Sequence, residues 1–212
     1  MNAPTLTDLQ LDALTELVNL GVSHAAMSLS ELVREEVFLS VPRVCVVTRD
    51  QAIANLREHD AKRLVGVHQD FDGDIRGRAL LIFPEVRSME LIRALVGAEL
   101  SLDDIMELEQ EALAETGNIL LNGCLSTMAN SLQRSLKISL PEVIHGDGTD
   151  FFRAGADETV LFIYINFAVK QRDIQGFLAL ILDLPSLVML QKLLDAYIER
   201  STGHSPTAGH VE

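Results

Sequence analysis

The chain has no tryptophan, two cysteines in 212 residues, and 17 Lys and Arg set against 31 Asp and Glu. Each shortage excludes something. Phosphate-backbone recognition needs clustered positive charge, and a formal net charge of -14 with dispersed basic residues argues against a nucleic-acid binder. An acidic surface suits basic protein partners. Cys45 and Cys124 stand in apolar contexts without a CxxC spacing, which reads as two reduced core thiols and not as a disulfide framework. The six histidines, His24, His59, His68, His145, His204 and His210, form neither HxxxH nor HExxH, so no metal site is expected. Phosphate-binding glycine loops and the G-x-S-x-G elbow are also missing. The longest strongly apolar run, Val160 to Val169, contains Asn166 and is about half of what a bilayer helix needs. The first twenty residues hold no Lys or Arg, unlike a signal peptide, so a cytoplasmic protein is expected.

What the chain does have is one pattern written twice. Asp12, Glu16 and Asn19 are followed after twenty-two residues by Pro42, and Glu111, Glu115 and Asn118 are followed at the same spacing by Pro141, 99 residues later. The first triplet sits in a helix expected from an N-cap at Thr7 or Asp8 to about Arg34. On a wheel of about 100° per residue, Leu14, Val18, Gly21, Ala25, Leu29 and Leu32 form the core face. Asp12, Glu16, Asn19 and Ser23 fall opposite, within roughly 60°. The second helix, entered at Ser101, Asp103 and Asp104 and ending near Leu132, repeats this layout. Its buried stripe is Leu113, Gly117, Leu120, Cys124 and Met128, with Glu111, Glu115, Asn118 and Asn122 outside. Small residues at Gly21 and Ala25 would admit close approach by another helix or a sheet.

After the first helix come a strand, Val37 to Val47, with Pro42 at an edge or bend, and a short helix around Ala52 to Arg57. Strands Lys62 to Phe71 and Ile75 to Phe83 turn at Asp72-Gly73-Asp74. A helix then runs from Pro84-Glu85 to Gly97, packing through Val86, Met89, Leu91, Ile92 and Leu95. The second half follows the same plan: strand Leu136 to Ile144, a polar loop Gly146 to Ala156, strands Thr159 to Val169 and Ile174 to Leu182, and a helix from Pro185 to about Arg200. Under one gapless offset of 99, Ala13, Leu14, Ser40 and Val44 match Ala112, Leu113, Ser139 and Val143, and Asp74, Ile75, Gly77 and Leu81 match Asp173, Ile174, Gly176 and Leu180. The expectation is one α+β domain over residues 8–200, made of two pseudo-symmetric repeats, 8–98 and 101–200, that share an antiparallel sheet, with a flexible tail over 201–212.

Asn is a mediocre interior helix residue because its side chain competes for backbone hydrogen bonds, so finding it twice, three residues after Glu on an exposed arc, points to function. A carboxamide accepts a hydrogen bond from water through oxygen while its nitrogen donates to a phosphoryl or carbonyl oxygen, so it can orient water for in-line attack. Without metal ligands nearby, such a helix would act on a partner that already holds the phosphoryl group and a divalent ion, and Glu could grip a Lys or Arg of that partner.

The spacing Asp or Ser, x3, Glu, x2, Asn, x22, Pro resembles that of the CheC, CheX and FliY group of chemotaxis phosphatases. So do Asn19-Leu20-Gly21-Val22-Ser23-His24-Ala25-Ala26 and Glu115-Thr116-Gly117-Asn118-Ile119-Leu120, and the likeness runs from about Asp8 to Tyr197. The resemblance implies two long motif helices side by side on one face of the sheet. It also implies a phosphatase that removes the aspartyl phosphate of a CheY-like response regulator. Asn19 and Asn118 would align the hydrolytic water, Glu16 and Glu115 would pair with the regulator's lysine, and Mg²⁺ would come from the regulator. Asp12, Glu111, Pro42 and Pro141 would support the motif. Glu111 departs from the usual Asp or Ser. No FliN-like segment follows residue 200, which points away from a flagellar FliY, and FliM-like relatives lack the paired Glu and Asn. The alternative is a non-catalytic adaptor that binds a CheD-like deamidase or a receiver domain.

Overall fold

The computed structural model describes residues 6–34, 36–58, 63–96, 102–152, 159–169 and 172–202. In chain order the elements are α1 (Asp8–Val33), β1 (Val37–Thr48), α2 (Arg49–Glu58), β2 (Leu64–Gly73), β3 (Gly77–Pro84), α3 (Glu85–Val96), α4 (Leu102–Ser131), β4 (Leu136–Ile138), β5 (Glu142–Gly146), α5 (Gly148–Phe151), β6 (Thr159–Val169), β7 (Arg172–Leu182) and α6 (Leu184–Thr202). Seven strands form one sheet in the order β1-β6-β7-β3-β2-β4, with β5 also on β2. Every pairing is antiparallel. The fold is α+β, and the halves meet at the sheet centre, where β3 pairs with β7.

Strand alternation builds two apolar layers. Val65, Val67 and Phe71 of β2 and Leu161, Ile163 and Ile165 of β6 face a large core shared with α1, α3, α4 and α6. Leu64, Val160, Phe162 and Phe177 face a smaller core closed by Ala52, Ile53 and Leu56 of α2 and Phe151 of α5. Both motif helices therefore cover the same face of the sheet. α1 starts at a capping box in which Thr7 and Gln10 exchange side-chain to backbone hydrogen bonds, and Gln10 Nε2 also donates to Asp195 Oδ1 of α6 at 2.7 Å. Its C-cap, Arg34, takes a left-handed conformation at φ 52°.

The two prolines mark breaks in the outermost strands. Pro42 lies in β1, where the register with β6 shifts between Ser40 and Arg43. Pro141 lies between β4 and β5, both paired to β2. A residue without an N–H cannot donate to a ladder, and an outer strand tolerates the gap best.

Several boundaries differ from the sequence reading. The β2–β3 turn is displaced beyond Asp72-Gly73, because those residues continue β2 by pairing with Lys137 and Leu136 of β4; Ile75 belongs to the turn and is buried there. Leu136 to Ile144 is two strands, split at Pro141, and the loop after Gly146 contains α5. In α3 the buried stripe is Ser88, Leu91 and Ile92, so Val86, on the opposite side of the turn, is 74% exposed. Leu32 in the last turn of α1 is exposed as well. Ser201 and Thr202 extend α6, while 203–212, Gly97 and the Ser101 cap lie outside the described residues.

The offset of 99 is also interrupted. Val44 pairs with Ile163 in β6, and Val143, 99 residues after Val44, pairs with Val67 in β2; the partners are 96 apart. An even offset keeps odd residues of β2 and β6 on the helix face, as observed, whereas 99 would turn one strand over. In that frame Gln69 corresponds to Ile165.

Candidate functional site

Glycine brings the two motif helices together. A Cβ on Gly21 would stand 2.6 Å from Cys124 Cα, and one on Gly123 would stand 3.2 Å from Ala25 Cβ. The close approach that the sequence allowed at Gly21 and Ala25 is made by α4 itself. His24 Nδ1 and Thr127 Oγ1, 3.2 Å apart, tie the outer side of the same crossing. Beneath α4, Gly117 rests on β2: a Cβ there would meet the Val67 side chain at 2.6 Å. The buried thiol of Cys124 is pushed up to about 12 by desolvation, which makes it packing material and not a nucleophile.

With the core faces closed in this way, the triplets look outward. Asp12, Glu16 and Ser23 on α1 and Glu111 and Glu115 on α4 are exposed, while Asn19, Asn118 and Asn122 are half-buried. None of those four carboxylates makes an ion pair with another described residue. The two helices carry ten acids, Asp8, Asp12, Glu16, Glu31, Asp103, Asp104, Glu107, Glu109, Glu111 and Glu115, and no Lys or Arg. The four exposed carboxylates Asp12, Glu16, Glu111 and Glu115, with no Lys or Arg on either helix, attract a cation from outside. Leu20, 42% exposed beside Asn19, and Met27, 65% exposed two turns on, add apolar surface. Among the described residues no three His, Cys, Asp or Glu side chains gather into a metal site. No helix among them is long and apolar enough to cross a membrane.

The two asparagines are held differently. Asn118 Oδ1 accepts from Asn122 Nδ2 at 2.7 Å and from Gln69 Nε2 at 3.3 Å, and Gln69 Nε2 also donates to the Ser139 backbone oxygen at 2.9 Å. Ser139 is fixed in turn against β2, its N–H donating to Asp70 O and its Oγ accepting from Asp70 N, each at 2.9 Å. Asp70 itself is held below the ordinary carboxylate range by its hydrogen bond from Arg78, against some desolvation. Asn19 makes no side-chain hydrogen bond to any other described residue. Gln69 was not singled out by sequence, although a signal was there: it is the one polar residue in the inward series Val65, Val67, Gln69, Phe71.

A family model described as "Chemotaxis phosphatase CheX" matches residues 65–166. The CheY-P phosphatase CheC of Bacillus subtilis is 28% identical over 137 residues, 63% of this chain; the chain spans 65% of that relative's length, just under two thirds. FliY of Thermotoga maritima has a similar fold, with a TM-score of 0.72 at 15% identity, covering 93% of this chain and all of that one. A chain from the CheX–CheY–BeF3–Mg²⁺ complex of Borrelia burgdorferi superposes with a TM-score of 0.50 at 14% identity, over 77% of this chain and 96% of that one.

Proposed function

We propose, on the premise that this chain belongs to the CheC/CheX/FliY family of chemotaxis phosphatases, that it removes the phosphoryl group from the aspartyl phosphate of a CheY-like response regulator and so terminates or adapts a chemotaxis signal. The observation that carries this reading is the pair of outward Glu and Asn side chains on two adjoining helices that bear only negative charge. Water attacks phosphorus in line, the bond to the aspartyl oxygen breaks, and inorganic phosphate leaves while the regulator's carboxylate is regenerated. Asn19 and Asn118 are the groups that position this water and contact the phosphoryl oxygens. Glu16 and Glu115 grip the regulator's active-site lysine, which sets the register in which Asn reaches phosphorus. Mg²⁺ would be held by the regulator and not by this chain, and would supply charge stabilisation at the phosphoryl group.

Residues 8–200 are one domain of two repeats, 8–98 and 101–200, each supplying one centre. Asp12 and Glu111 extend the acidic arc, and Pro42 and Pro141 shape the strands behind it. Acting on such a regulator, the protein would work in the cytoplasm. The test is phosphate loss from a phosphorylated receiver domain, with and without the chain. Acceleration by wild type that disappears in the Asn19→Ala, Asn118→Ala double variant supports the enzyme. Binding of the receiver or of a CheD-like deamidase with no acceleration makes the chain an adaptor instead.

A further inference from the structure

We infer that Gln69 is a positioning residue of the second centre: it turns Asn118 so that the carboxamide oxygen faces the protein and only the NH2 group faces the partner. The inference rests on the phosphatase reading above. The orientation follows from one atom that cannot donate. The Ser139 backbone oxygen accepts from Gln69, so Gln69 presents Nε2 there; the same Nε2 then requires an acceptor from Asn118, which is Oδ1. Asn122 Nδ2 supplies a second donor to that oxygen, and its two lone pairs are both used.

The arrangement is expensive for a core. Gln69 is fully buried, and its Oε1, with Asn122 Oδ1, is buried without a hydrogen-bond partner among the described residues. The other half avoids this with apolar Ile165 at the corresponding strand position, and Ser23 stands on α1 where α4 has Asn122. Packing alone does not call for amides here, since Ile165 is just as buried.

The two centres then differ in chemistry. Among the described residues nothing occupies the Asn19 carboxamide, whose oxygen can accept from water and whose nitrogen can donate to phosphate. Asn118 is a fixed donor: it holds the attacking water by donating to one of its lone pairs, which leaves the other for phosphorus, and it donates to the phosphoryl oxygens as charge moves onto them. Its side chain is ordered before the partner arrives, so less freedom is lost on docking.

Two measurements test this. Hydrogen exchange of the side-chain amides in the free protein should show the Gln69 Nε2 and Asn122 Nδ2 protons protected and the Asn118 Nδ2 protons exchanging as in an exposed amide; the reverse pattern overturns the inference. In an Asn19→Ala background, where the second centre acts alone, Gln69→Met should lower kcat for phosphate release by about three- to tenfold, the worth of a hydrogen bond, and leave KM unchanged. Asn122→Ser, which writes in the residue of the first helix, should give a smaller loss of the same kind. With Asn19 intact, the losses in the cycle of Gln69→Met with Asn118→Ala should not add, whereas a general weakening of the fold would add and would also damage the first centre. A Gln69→Met variant as active as its parent, or additive losses, would sink the positioning role. Absence of acceleration by wild type, with the expected exchange pattern, would remove the phosphatase reading and leave the orientation of Asn118 standing.

Discussion

α1 and α4 carry the same Glu and Asn at the same spacing and lie against each other, yet one asparagine is loose and the other is clamped. The difference arises behind the helices. α4 rests on β2, whose inward residue at this level is Gln69, and the break at Pro141 leaves the Ser139 oxygen outside the ladder to hold it. In the other half the inward residue is Ile165, which offers no hydrogen bond. A repeated motif thus does not imply repeated chemistry, because side chains three residues apart on a helix are aimed by whatever lies under them.

The comparison breaks most severely if both carboxamides are removed. Asn19→Ala with Asn118→Ala should return phosphate loss to the receiver's own rate, and each single variant should retain part of the acceleration through the other centre. Equal kinetic behaviour of the two single variants in kcat and KM would contradict distinct roles.

Next in size is the crossing that holds the centres together. Gly21→Ala forces a methyl onto the Cys124 backbone, which cannot move aside as a side chain can, and should cost about 1–3 kcal/mol in denaturant unfolding. Gly123→Ala meets Ala25, its Cβ tightly at 3.2 Å and its backbone at ordinary contact from 3.5 Å, and the roughly 1 kcal/mol helix preference of Ala over Gly offsets the contact. A near-zero change is expected there, and similar losses at both glycines would show that the crossing is symmetric after all.

Glu16→Ala should raise KM severalfold with kcat nearly kept if, as proposed, the carboxylate grips the partner and does not touch water. Glu115→Ala should do the same at the second centre. A fall in kcat with unchanged affinity would contradict the docking role.

The smallest effect concerns Cys124. Its thiol titrates near 12 in the fold against about 9 when exposed, so the unfolded chain loses its proton first as pH rises. Stability contributed by the neutral buried thiol is complete below about pH 9 and declines above it, toward 12. At pH 8 a thiol reagent should reach Cys45, which is partly exposed, well before Cys124. Fast native labelling of Cys124 would mean that α1 and α4 separate readily.

Local pattern made much of this fold legible. The helical period placed both core stripes correctly, apart from Leu32, and the Glu and Asn arcs fell on the outer side because 3.6 residues per turn leaves no other choice once the stripe is apolar. Five strands were found, with ends wrong where a neighbour decided them, as at Asp72-Gly73, where β4 extends β2, whereas Leu136 to Ile144, expected as one strand, is two.

What the sequence by itself determined, then, is the spacing of Glu16 with Asn19 and of Glu115 with Asn118, their common face, and the recurrence of that pattern after 99 residues, since all three follow from periodicity along one chain. The tertiary structure alone decided that α1 and α4 meet through Gly21 and Cys124, that the offset slips to 96 between β2 and β6, and that Gln69 and Ser139 converge on Asn118. Those contacts join residues 49, 70 and 103 positions apart, and nothing local encodes which of many buried polar groups will meet.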